Sequence, residues 1–180
     1  MVTGRTVVLF IHILGAITLF IAMGIVQRVG ALMRSAVSGD ELRQWLRLLR
    51  STSRMYPAAF VILLGTGIYM AGTAWSFETP WIAVSLATLL VMGALGGGFV
   101  GRSFREIGQS FRGGGDLTPE LMGRVRAPKL WIAATALNGL AMGVLWLMVI
   151  KPGLVHSLAV VLALGLIGAA GGRTVAAKTA

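Results

Sequence analysis

TVVLFIHILGAITLFIAMGIV, residues 6–26, is the stretch on which the fold turns. Its 21 residues carry no charge and one strongly polar side chain, His12. At ~1.5 Å of rise per helical residue it reaches about 31 Å, enough to cross a hydrocarbon core of roughly 30 Å. The apolar run exceeds the ~7–15 residues of a signal-peptide core, and no A-x-A site precedes polar sequence. The stretch therefore reads as a retained span. Four others repeat its character, at 56–74, 81–100, 130–150 and 154–170. The second and fifth are short for a full crossing and are expected to tilt or to have frayed boundaries. The expectation is an all-α, polytopic membrane protein: one domain over 1–180, a bundle of five transmembrane helices.

Composition agrees. Hydrophobic residues make up 56% of the 180 and charged residues only 12%, about half the ~25% of a soluble domain. The formal net charge of +10 would point to nucleic acid on a soluble surface, but here the cations lie between apolar spans, so no nucleic-acid partner is expected. The chain has no cysteine, which removes disulfides, thiolate metal ligands and iron–sulfur clusters.

The cations also orient the chain. The connection 27–55 holds Arg28, Arg34, Arg43, Arg47, Arg50 and Arg54; the connection 101–129 holds Arg102, Arg105, Arg112, Arg124, Arg126 and Lys129; the tail adds Arg173 and Lys178. These are fourteen of the sixteen basic residues, leaving Arg5 and Lys151 for the other side. The positive-inside rule then predicts an outside N-terminus and a cytoplasmic C-terminus in a bacterial inner membrane.

Neither connection reads as a folded domain. In the first, Ser38 and Glu41 have capping-box spacing. The helix they start gathers Leu42, Trp45, Leu46 and Leu49 on one face and Arg43, Arg47, Arg50 and Arg54 on another. Such a helix is expected to lie in the headgroup layer with its arginines near anionic lipid. In the second, residues 102–111 continue span three, Gly113–Gly115 read as a hinge, and Thr118-Pro119-Glu120 starts another helix with a cap and a proline at its first position.

Small residues mark where spans approach one another. Gly93, Gly97 and Gly101 recur at four-residue steps in span three, and Gly139 and Gly143 in span four, beside Asn138. The stripes serve packing within one bundle or, alternatively, a homo-oligomer or a membrane partner subunit. Asn138 reads as a helix–helix hydrogen-bonding residue. Trp75 and Trp81 fit an outer aromatic belt, Trp131 and Tyr56 an inner one.

No Asp, Glu, Lys or Arg lies inside a span so drawn, which weighs against a proton-coupled pump or ion transporter. The remaining candidates are His12 and His156. With this topology His12 lies ~9 Å below the outer boundary, His156 lies near the start of span five, and Met70 and Met148 reach similar depths. Two imidazoles and two thioethers are ligands suited to haem iron or copper. Against ligation stand methionines as packing residues, a hydrated His156, and a hydrogen bond from His12 to a Thr or a carbonyl. His12 shares a face with Gly15, Ala16, Leu19 and Met23, so it is expected to turn towards the bundle.

Residues 9–16, LFIHILGA, resemble the opening of the bacterial CopD-like membrane proteins and of neighbouring families of uncharacterised integral membrane proteins. Residues 64–70, LGTGIYM, are similar to their "TG(I/L)" segment, followed here by Trp81-Ile82. The resemblance implies a small helical bundle in which His12 binds haem or copper. The chain has fewer spans than the copper importers. It also lacks the in-membrane lysine of the related haem-binding oxidases. Three functions stand: a non-enzymatic bundle protein or accessory subunit, a haem- or copper-handling protein using His12 and His156, and a small-solute permease or its subunit.

Overall fold

The computed structural model describes residues 3–111 and 116–177. The expected hinge at Gly113–Gly115, with Arg112 and Lys178, lies outside the described residues. Among those described there are helices and no strands, in the order α1 (Gly4–Arg34), α2 (Gly39–Thr52), α3 (Met55–Ala74), α4 (Pro80–Gly93), a π-helical segment (Ala94–Val100), α5 (Gly101–Ser110), α6 (Pro119–Val125), α7 (Pro128–Ile150) and α8 (Leu154–Ala177). Among the described residues five helical runs are long and apolar enough to cross a membrane. The five-span architecture is therefore present.

Local chemistry fixes the ends. Thr3 caps α1, its hydroxyl accepting from Thr6 N–H at 3.4 Å. Ser38 caps α2 by accepting from Glu41 N–H at 3.2 Å, while the Glu41 carboxylate accepts from Val37 N–H at 3.1 Å. The box thus closes one residue earlier than the usual form. Thr118 caps α6, accepting from Leu121 N–H at 3.2 Å, with Pro119 at the first helical position. Pro80 and Pro128 likewise start α4 and α7, where a proline costs no hydrogen bond. α7 ends at Lys151, whose φ of 54° turns the chain into Pro152 and α8. The Lys151 ammonium lies 4.7 Å from the ring centre of Trp75, which meets Trp81 edge-on at 5.4 Å.

Two pairings dominate. α1 packs along α3, and α7 along α8; α4 bridges them through contacts with α3, α7 and α8. Glycines make the second pairing close. A side chain on Gly139 would run into the Leu164 backbone, one on Gly168 into that of Thr135, and one on Gly143 would come within 3.1 Å of Val161 Cα. The span-four stripe is therefore taken up inside this chain by α8. In span three the regular stripe is interrupted. Gly93 faces Phe60, Gly96 faces Tyr56, and Gly101 donates its N–H to Gly96 across an i→i+5 turn.

Three readings of single elements are corrected. Trp131 is fully buried rather than a belt residue. Its indole fills the space left by Gly30, donates to Val125 C=O at 2.7 Å and stacks 4.0 Å from the Arg34 guanidinium. A cation over an indole face is stabilised by the ring quadrupole, and Arg34 is only 6% exposed there. The apolar face of α2 is directed to the bundle, not to the headgroup layer. Leu42 and Leu49 are buried, and Trp45 and Leu46 pack against the same core. The short turn after α1 folds α2 back on it, so that face is covered by protein before lipid can reach it. Asn138 makes no side-chain hydrogen bond among the described residues and faces a cavity instead.

Candidate functional site

His12 sits on α1 one turn before Gly15, whose missing side chain lets α1 close on Ile62 and Leu63 of α3. That approach brings His12 Nδ1 to 2.8 Å from the Thr66 hydroxyl. The hydroxyl donates its single proton to Ile62 C=O, so it accepts from Nδ1–H. A neutral imidazole so bonded presents its lone pair at Nε2, the arrangement that a hydrogen bond on the other ring nitrogen gives a ligating histidine. A Cβ on Gly67 would lie 3.8 Å from His12 Cε1 and 3.9 Å from Leu86 on α4. The ring thus occupies a slot shared by α1, α3 and α4.

The other proposed ligands are placed differently. His156 is exposed on the first turn of α8, a helix that packs on α7 and α4 rather than along α1. Met148 packs at the edge of the cluster formed by Ala71, Trp81, Leu147 and Val161, and Met70 is half-buried on α3. Among the described residues no three His, Asp or Glu side chains converge on one point. His12 with Thr66 is the part of the expected constellation that the fold assembles.

A larger feature lies towards the basic end of the bundle. A cavity of about 720 Å³ opens between α1, α2, α3, the π segment with α5, and α7. Its volume is in the roughly 300–1,000 Å³ range of small-molecule sites. Met23, Val26 and Leu137 line its apolar depth, and Asn138 adds one carboxamide there. At its rim stand Arg43, Arg47 and Arg50 from α2 and Arg105 from α5. Among the described residues no carboxylate lines it. Arg43 pairs with Asp40 at 3.0 Å, whereas Arg47, Arg50 and Arg105 have no ion-pair partner among the described residues.

The π segment forms one wall. Its backbone is wider than an α-helix, and residues 96–98 are all glycine. The Tyr56 hydroxyl donates to Met92 C=O at 2.9 Å just before the segment begins, which fixes the phenol ring as part of the same wall. Gly97 has nothing within 4 Å of where a Cβ would stand and faces the cavity. Segments of this kind inside a regular helix are frequent at functional sites.

The sequence singled out His12 and left a threonine or a backbone carbonyl open as its hydrogen-bond partner, but passed over the cavity. Its arginines come from two connections separated by a pair of spans, and periodicity within either connection gives no sign that they converge. The available signal was the run Gly96-Gly97-Gly98 inside an apolar span, which a helix built only for packing does not need.

No curated protein and no solved structure matches the chain. A family model described as "Predicted integral membrane protein (DUF2269)" matches residues 6–152, from the start of the first span to just past the fourth. The chain belongs to this family of predicted integral membrane proteins.

Proposed function

We propose that the protein is a non-enzymatic component of a bacterial cytoplasmic membrane that acts by holding an amphiphilic ligand in the cavity between α1, α2, α5 and α7. The observation that carries this reading is the cavity's composition. Apolar side chains from two spans form its depth, a glycine-walled π segment widens it, and its polar groups are cations, carboxamides and the hydroxyls of Thr52, Ser53 and Tyr56, each donated to a backbone carbonyl. Such a lining solvates and orients a guest. Proton transfer or nucleophilic attack needs a paired acid, base or nucleophile in the lining. The fourteen-to-two division of basic residues supports a cytoplasmic position for the rim and an outside N-terminus.

The test is the organic extract of protein purified in mild detergent, analysed by mass spectrometry. One class of amphiphile is expected at about one per chain, and it should be lost from Gly97→Leu, which fills the cavity without altering charge. An extract with only bulk-lipid proportions, unchanged in Gly97→Leu, would sink the reading.

A second reading rests on His12. The bond to Thr66 is the competitor expected for ligation, but it occupies Nδ1 alone, so a neutral ring keeps Nε2 open to haem iron or copper, the ligation that the likeness of residues 9–16 to CopD-like proteins implies. His12 with its Thr66 support fits one ligand position; the exposed His156 on α8 does not complete it. A Soret band or stoichiometric copper that disappears in His12→Ala supports this reading. Protein that stays colourless and metal-free after reconstitution removes it.

A further inference from the structure

We infer that the cavity's ligand is an anionic amphiphile, with a phosphate or carboxylate head held by Arg47, Arg50 and Arg105 and an apolar tail lying against Met23, Val26 and Leu137. This rests on the reading that the cavity holds a ligand, and it adds the ligand's chemical class.

Charge is the first argument. Arg47 and Arg50 of α2 and Arg105 of α5 line one opening, with Arg43 beside them already paired with Asp40, and no carboxylate among the described residues lines that opening. Like charges gathered this way repel, and an oxyanion between them relieves the repulsion while accepting their hydrogen bonds. The orienting effect of basic loops explains arginines on this side of the membrane. It does not require arginines from residues 43–50 and from residue 105 to meet at one mouth. Guanidinium groups also suit the purpose, because their fixed fork of donors matches the oxygens of phosphate and carboxylate.

The second argument is the depth below the rim. A small hydrophilic anion would occupy the rim alone and leave the apolar depth unfilled, where Val26 is half-buried and Met23 and Leu137 show only small edges. A neutral lipid would leave the cations without a counter-charge. An amphiphile satisfies both ends, in the same order as the surrounding bilayer: head at the basic boundary, tail towards the span interior. Asn138 adds a third point. Its carboxamide has no protein partner among the described residues and lies in the cavity at mid-span, where an unpaired polar group is costly. An ester or hydroxyl just below a charged head pairs with it. Gln27 and Gln109 extend the same carboxamide lining towards the rim.

Two sources share this chemistry, a membrane phospholipid and a free fatty acid. The experiment uses delipidated, full-length protein in neutral detergent, read by native mass spectrometry. Its probes are dioleoyl phosphatidylglycerol, oleate, dioleoylglycerol and inorganic phosphate. One phosphatidylglycerol or one oleate per chain is expected, and the stronger of the two identifies the source. Dioleoylglycerol and phosphate should each bind at least tenfold more weakly. The triple variant Arg47→Gln/Arg50→Gln/Arg105→Gln should lose at least tenfold for the anionic probe and little for dioleoylglycerol. Gly97→Leu, with every arginine retained, should lose the anionic probe as well, which separates the cavity from general attraction of lipid to a basic surface.

Equal retention of dioleoylglycerol and phosphatidylglycerol overturns this inference while leaving the ligand-holding reading intact. So does undiminished anionic binding in the triple variant. Anionic binding that survives in Gly97→Leu overturns the cavity as its location. Binding of none of the probes overturns both readings together.

Discussion

At Gly30 one methyl group decides whether α1 and α7 fit together. A Cβ there would run into the Trp131 ring, which is itself fixed by Val125 C=O on one edge and Arg34 on one face. Gly30→Ala is therefore expected to cost about 1–3 kcal/mol, the usual penalty for overpacking. Gly24 lies on the same helix with nothing near its Cβ position. Gly24→Ala should leave stability unchanged or raise it by up to about 1 kcal/mol. Thermal unfolding of both variants in detergent checks the pair, and equal melting would refute the packing described around Trp131. At His12 the expectation concerns a proton. Thr66→Val keeps the shape but removes the acceptor, so it should cost about 0.6–2 kcal/mol and mix the imidazole tautomers. Nitrogen-15 NMR of the labelled histidine reads that mixture; an unchanged spectrum would mean that Thr66 does not set the ring.

Between elements, the seam of α7 with α8 depends on backbone approaching backbone. Gly139→Ile or Gly168→Ile places a branched side chain against main chain that cannot move aside. Either should release α8 from α7, seen as faster hydrogen exchange confined to α8. Gly171→Ile, one helix face away with open space at its Cβ position, should not. Exchange that rises equally in all three would show that α8 is held by something other than these glycines. The same elements mark how far sequence carries. Spans were legible because length and apolarity are summed properties of a stretch, and Thr118-Pro119 was legible because a cap acts within three residues. The burial of Trp131, the destination of α2's apolar face and the π segment were not. Each depends on what another part of the chain supplies: the gap at Gly30, the core that receives Leu42 and Leu49, and the Tyr56 hydroxyl at Met92. A tryptophan near a span end looks the same in sequence whether it meets lipid or Arg34. His12 and Thr66 lie between these cases, since both residue types were visible but their meeting required α1 to close on α3 at Gly15.

For the whole molecule, orientation is the property that gives the cavity its meaning, and the absence of cysteine makes it directly measurable. Ser51→Cys, in the last turn of α2, and Ser76→Cys, just past α3, place single thiols at exposed positions beyond the two ends of α3. In intact cells a membrane-impermeant maleimide should label Ser76→Cys and spare Ser51→Cys until the membrane is opened. The reverse pattern would turn the arginine rim outward and contradict the charge rule. The π segment bears on the molecule as a whole too. Removing one residue from an ordinary helix turns everything beyond it by about 100°. An i→i+5 ladder already carries a surplus residue per turn, so losing one of the glycines 96–98 would tighten the ladder and leave both ends in phase. α4 would keep its buried face and Arg105 its place at the rim, while the wall between them drew inward. A span of this kind can change the bore of its cavity by a single codon without disturbing the bundle that surrounds it.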